Sequence, residues 1–94
     1  MAQRFTEAEA NSAMAGLSAW TADSNVSMTR GFTFKDHSEA MGFVTRVAMA
    51  AEVADHHPDL RIVYNKVEIT LSTHDAGGLT ENDTNLAARI DGFA

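Results

Sequence analysis

The chain has no cysteine among its 94 residues. That excludes a disulfide scaffold, a thiolate zinc site and a cysteine nucleophile. It also fits a reducing compartment. There is one proline, Pro58, and the 6 glycines are scattered. No Pro- or Gly-rich linker therefore divides the chain, and no segment is low in complexity. Positive charge is scarce: Lys and Arg number 7 against 13 Asp and Glu, for a net charge of −6. An acidic surface argues against nucleic acid as a partner, because phosphate binding needs a basic one. It argues equally against an anionic membrane. No apolar run approaches the roughly 18–20 residues of a membrane span, and residues 1–5 lack the apolar core of a leader. The expectation is one cytoplasmic domain over residues 1–94.

What is present suits a folded protein. Hydrophobic residues make up 45% of the chain and charged residues 21%, too apolar for disorder. Thr6-Glu7-Ala8-Glu9 reads as a capping box for a short helix that Gly16 stops. Between residues 20 and 34, Met28, Arg30, Phe32 and Phe34 alternate with Thr29, Gly31 and Thr33 after a turn-like Ala22-Asp23-Ser24-Asn25. This predicts a strand pair. Asp36-His37-Ser38-Glu39 opens the strongest helix, with Ala40, Phe43, Val44, Val47, Ala48 and Ala51 on one face. That helix should end near His56, because Pro58 disfavours helical geometry at His57. Residues 62–64 and 66–73 read as two strands turning near Asn65; Val67, Ile69 and Leu71 share one face. Leu79-Thr80-Glu81-Asn82-Asp83 then starts a last helix that buries Leu86, Ala87 and Ile90. The expected fold is α+β, in the order α-β-β-α-β-β-α. It has a four-stranded antiparallel sheet with three helices on one face. Few lysines and no proline guard the strand edges, and Met41, Met49 and Val53 fall outside the core stripe of the long helix. Both features point to a homodimer or homotetramer.

Three histidines stand out: His56, His57 and His74. Three readings compete for them. His56 and His57 could simply end a helix before Pro58. Three imidazoles could hold zinc, although neither a His-Glu-x-x-His spacing nor a Cys/His signature is present. Or they could exchange protons, for which imidazole is suited near neutral pH.

The motif Glu52-Val53-Ala54-Asp55-His56-His57-Pro58, followed by Tyr64, His74 and Asp83 at these spacings, resembles the pterin-4a-carbinolamine dehydratase family. Residues 64–67 and 71–74 are similar to its strand and active-site segment. Trp20, Arg30, Phe32, Phe34, Lys35, Asp36, Ala40 and Phe43 are similar as well. The resemblance covers nearly the whole chain. His37 departs from it, standing where the family carries an apolar aromatic residue; its effect should be on local packing.

The resemblance implies dehydration of 4a-hydroxytetrahydropterin to quinonoid dihydropterin, a step that regenerates the pterin spent by aromatic amino acid hydroxylases. It implies a pterin substrate, no cofactor, no metal, and a hydroxylase as pathway partner. His56, His57 and His74 would be the catalytic set, with His57 nearest the ring. Substrate binding would fall to Asp55 and to backbone groups of Ser72 and Thr73; Glu52, one turn before His56, can face the same pocket, and Asp83 is counted with the substrate-binding residues. Asp83 would combine capping with support of the site, and Tyr64 would pack near the pocket. Some family members also bind the dimerisation helices of a transcription factor, so a non-enzymatic binding module is the rival reading.

Overall fold

A computed structural model describes residues 2–94; Met1, part of the leader reading above, lies outside the described residues. The elements run α1 (Glu7–Ala13), β1 (Thr21–Asp23), β2 (Ser27–Thr33), α2 (His37–Ala54), β3 (Asp59–Val63), β4 (Lys66–Leu71) and α3 (Glu81–Asp91). Single turns of 3₁₀ helix follow α1 at Met14–Gly16 and β4 at His74–Ala76. The four strands form one antiparallel sheet in the order β1-β2-β4-β3. This is the α+β architecture that the sequence pattern predicts.

Register explains why one face is dry. Met28 pairs with Leu71, Arg30 with Ile69 and Phe32 with Val67. Strand side chains alternate, so these share a face, and all but Arg30 are buried in one core with Ala10 of α1, Phe43 and Val47 of α2, and Leu86 and Ile90 of α3. Arg30 fits among them because its charge is answered twice. Its guanidinium lies 4.3 Å from the centroid of the Phe32 ring and donates to Asp91 Oδ1 at 2.6 Å. The same carboxylate oxygen accepts from Trp20 Nε1 at 2.8 Å. The far end of α3 is thereby fixed to the sheet.

Each helix starts where a polar side chain caps it. Thr6 and Glu9 complete a capping box on α1, Asp36 accepts from the Glu39 amide on α2, and Thr80 and Asp83 cap α3. The core face of α2 differs from expectation at two positions: Ala50 is buried and Ala48 is exposed. Strand β3 starts three residues earlier than expected, at Asp59, and ends at Val63. Its first residues are mostly polar because an edge strand with one open face needs few apolar positions. Tyr64 is not strand but turn, with φ of 53°. Strand β4 ends at Leu71 and not at Thr73, which makes only an isolated bridge to Gly78. His37 packs locally: its Nδ1 lies 2.7 Å from the Tyr64 carbonyl oxygen, and the two rings stack with centroids 6.5 Å apart. Among the described residues no helix is long and apolar enough to cross a membrane.

Candidate active site

The helix that carries the histidine motif stops before the histidines. Asp55 is its C-cap, in the left-handed conformation with φ 50° and ψ 44°. His56 and His57 therefore lie outside α2, not in its last turn as the spacing of Pro58 suggests. The reversal at Asp55 breaks the helix before proline geometry acts. The His56 amide still donates back to the Ala51 carbonyl at 3.1 Å, a closure typical of helix ends in this conformation. A non-glycine residue there carries a strain of roughly 1–3 kcal/mol.

The turn projects the two rings in different directions, and each finds a carboxylate. His57 Nε2 lies 2.5 Å from Glu52 Oε1, across an exposed face. His56 Nε2 lies 2.5 Å from Asp83 Oδ1, and that carboxylate is 0% exposed. The remaining oxygen, Asp83 Oδ2, accepts from Thr73 Oγ1 at 2.8 Å and from the Thr80 amide at 3.0 Å. A buried carboxylate is costly unless paired and hydrogen-bonded; here both oxygens are satisfied. The chain brings together residues 27 positions apart to do it.

Segments 55–59 and 72–75 wall a cleft of about 350 Å³ where α2 and β4 both end. Asp55, His56, His57, Ser72, Thr73 and His74 all line it. Glu52 stands one step back, holding His57, and Asp83 lies beneath, holding His56. The ring of His74 is exposed. Thr73 does not offer free backbone groups as expected: its N–H donates to the Gly78 carbonyl at 3.0 Å, and its carbonyl accepts from Ala76 and Gly78. The Ser72 backbone takes no part in those loop bonds, and its hydroxyl donates to the Val26 carbonyl at 2.8 Å. Tyr64 is at the far end of β3, away from the cleft lining. Among the described residues, no three His, Asp or Glu side chains are grouped to hold a metal ion. A larger cavity of about 580 Å³ lies between Phe34, Phe43, Arg46 and Phe93. It contains no imidazole, so its size does not make it the better candidate for proton chemistry.

Thr80 is the residue that sequence reasoning passed over as a mere cap. It is fully buried, and its hydroxyl lies 2.7 Å from that of Thr73. The capping box made Thr80 and Asp83 visible, but nothing in linear spacing links them to His56.

These features define a small α+β protein with an imidazole-lined cleft. A sequence profile described as pterin 4 alpha carbinolamine dehydratase matches residues 3–93, and the chain belongs to that family. A relative from Nitrobacter winogradskyi, provisionally named pterin-4-alpha-carbinolamine dehydratase, is 46% identical over all of this chain and 94% of its own length. A relative of the same name from Burkholderia cenocepacia is 48% identical, over all of this chain and 93% of its own. The crystal structure of a transcriptional coactivator/pterin dehydratase from Brucella melitensis superposes with a TM-score of 0.92 at 42% identity, covering 98% of this chain and 99% of that one. A pterin dehydratase-like protein identified as a RuBisCO assembly factor in the alpha-carboxysome shares the fold, with a TM-score of 0.68 at 24% identity over 81% of this chain and 89% of that one.

Proposed function

We propose that the protein dehydrates 4a-hydroxytetrahydropterin to quinonoid dihydropterin by acid–base catalysis, within pterin cofactor recycling. The observation that carries this reading is the convergence of His56, His57 and His74 on one cleft from two separate loops. The reaction breaks the C4a–O bond and the N5–H bond. The departing oxygen takes a proton from a general acid and leaves as water, while a base removes the N5 proton. The N–H bonding pair becomes the new N5=C4a bond, so atoms and electrons balance without a redox partner. Two proton-transfer groups are needed, and His56 and His74 would fill those roles. His57, braced by Glu52, would orient and polarise the pterin ring. Asp55 faces the cleft and Ser72 keeps its backbone free, which suits the donor–acceptor edge of a pterin.

The test is ultraviolet detection of quinonoid dihydropterin formed from the 4a-hydroxy substrate, with the uncatalysed dehydration subtracted. Acceleration that disappears in a folded His56, His57 and His74 triple alanine variant supports the reading. No acceleration by the wild-type protein refutes it.

A second reading, a protein-binding module, draws on the surface of α2. Met49 is 66% exposed and Val53 79%, and with Arg46, Arg89 and Phe93 they line a shallow groove of about 290 Å³. The outer edge of β3 is also unpaired in the sheet order. We propose that these surfaces serve self-association into a homodimer or homotetramer. Sizing of an inert but stable oligomer would favour the binding module over the enzyme.

A further inference from the structure

His56 has two ring nitrogens, and the structure treats them differently. Nε2 points inward at Asp83 Oδ1. Nδ1 has no hydrogen-bond partner among the described residues, yet no buried side-chain nitrogen or oxygen lacks one. Nδ1 must therefore reach solvent, and His56 lines the cleft. Which tautomer the neutral ring adopts depends on the direction of the bonds behind Asp83. A hydroxyl has one proton to give. Thr73 gives its proton to Asp83 Oδ2, so the short contact between Thr73 and Thr80 is made by the proton of Thr80. Thr80 Oγ1 in turn accepts from the Asn82 amide at 3.2 Å. The chain of donors thus runs one way, from Asn82 through Thr80 and Thr73 onto Asp83. With the Thr80 amide also donating to Oδ2, that oxygen can only accept, and the pair of donors supports Oδ1 as an acceptor toward His56.

From this we infer that Thr73 and Thr80 are positioning residues: their hydroxyl relay supports Asp83 as an acceptor and so favours, in the neutral His56 ring, the Nε2–H tautomer with a bare Nδ1 turned to the cleft. A bare nitrogen facing the substrate is what a general base requires. The relay thereby assigns His56 the base role, leaving the acid role to His74, whose ring has no hydrogen-bond partner among the described residues. This rests on the dehydratase reading for its consequence, but not for its geometry.

Two measurements separate those parts. The first is the ring ¹⁵N spectrum of His56, which reports the tautomer of the neutral ring without any turnover. The second is kcat and KM for dehydration. The variants are Thr73→Val, Thr80→Val and the hydroxyl-keeping Thr80→Ser. We expect wild type to show Nε2 protonated and Nδ1 bare. In either valine variant the opposite tautomer should become detectable and kcat should fall roughly 10-fold with KM little changed, less than the about 10²–10⁴-fold of losing the base itself. Thr80→Ser should restore both. Thr80 also caps α3, so Thr80→Val could unfold; Thr73 makes no cap bond, and Thr73→Val then carries the test alone. Folded valine variants with an unchanged His56 spectrum and kcat within twofold of wild type overturn the inference. So does a wild-type spectrum with Nδ1 protonated. A wild-type protein with the expected tautomer but no dehydratase activity would refute the proposed function and leave the relay standing.

Discussion

Replacing Asp83 by Asn should turn the His56 ring against its own chemistry. The two side chains are nearly the same size, so the change removes charge and one acceptor without opening a cavity. An amide has one accepting end and one donating end. The inner side of residue 83 faces the Thr80 amide, a donor that cannot reverse, and the hydroxyl of Thr73. The Asn oxygen must therefore face inward. Its NH₂ then faces His56 Nε2, now 2.5 Å from Oδ1, where two donors would meet. The ring escapes by moving its proton to Nδ1, so the nitrogen in the cleft becomes a donor. A similar substitution in a serine protease triad leaves geometry intact and loses activity through the wrong tautomer. The expected fall in kcat/KM is about 10²–10⁴-fold, that of losing a general base. The stability cost is smaller. Three hydrogen bonds lose their charge assistance, but a buried charge is also removed. A net loss of about 1–2 kcal/mol is expected, and a domain of this size shifts roughly 4–8 °C in Tm per kcal/mol. Turnover and thermal unfolding of Asp83→Asn, read side by side, test this. Turnover within about threefold of wild type in the folded variant would refute the argument.

Other perturbations separate site from scaffold. His57→Ala should be the most damaging single histidine change, and His74→Ala should lose about 10²–10⁴-fold in turnover, with Tm little moved in both; loss of activity that tracks unfolding would favour a purely structural role. Asp55→Gly should raise Tm, by up to about 1 kcal/mol of stability, because glycine suits the left-handed C-cap, while raising KM; a lowered Tm would count against strain at that residue. Activity should survive a chelator, and metal analysis of the purified protein should find no stoichiometric zinc; activity that a chelator removes and zinc restores would reverse the acid–base reading. Met49→Glu with Val53→Glu should reduce the oligomer in sedimentation, and a wild-type monomer at micromolar concentration would contradict the assembly proposed.

The sequence carries the fold more openly than the site. Helix starts are local events, so Thr6, Asp36 and Thr80 are readable from a few residues of spacing. Alternation at Val67, Ile69 and Leu71 is likewise local, and the face it predicts is the buried one. The misplaced boundaries share one cause: the deciding residue follows no common propensity. Asp55 ends α2 in a conformation usually reserved for glycine, so Pro58 draws attention two residues too late. Asp59 and Arg61 begin a strand whose outer edge and open face tolerate polar side chains. Ala48 and Ala50 could exchange places without disturbing the apolar pattern, because alanine says little about which side is in. As for the candidate site, the His-His-Pro motif is legible, but the partners of its rings are not. Glu52 reaches His57 within one helix end, at five residues. Asp83 reaches His56 only after the sheet has brought the start of α3 beneath the end of α2.

The loop that bears His74 shows how far such dependence extends. After His74 the chain returns to Thr73 through Gly78, whose own neighbour Leu79 donates its amide to the Asn25 carbonyl at 2.9 Å. Asn25 lies in the β1–β2 turn, and its side chain donates to the Phe5 carbonyl at 2.7 Å. The Phe5 amide donates to the Leu79 carbonyl at 2.8 Å, and Arg4 donates to Asn25 Oδ1 at 3.2 Å. The N-terminal segment, the first hairpin and the His74 loop are thus laced at one point. Gly78 sits at the centre of that point, and a Cβ there would fall 2.4 Å from both Arg4 Nε and the Asn25 carbonyl oxygen. The arginine can swing away, but the carbonyl belongs to the backbone that accepts from Leu79. Gly78→Ala must therefore push the loop or the turn aside. Overpacking of this kind costs about 1–3 kcal/mol, or roughly 4–24 °C in Tm at about 4–8 °C per kcal/mol. Because the displaced loop also holds Thr73 against Asp83, turnover should fall even at temperatures where the variant is fully folded. Deleting residues 2–5 removes Arg4 and the Phe5 bonds without adding bulk, and should lower Tm with a smaller loss of turnover. Equal turnover per folded molecule in Gly78→Ala and wild type would show that the loop's position does not reach the chemistry.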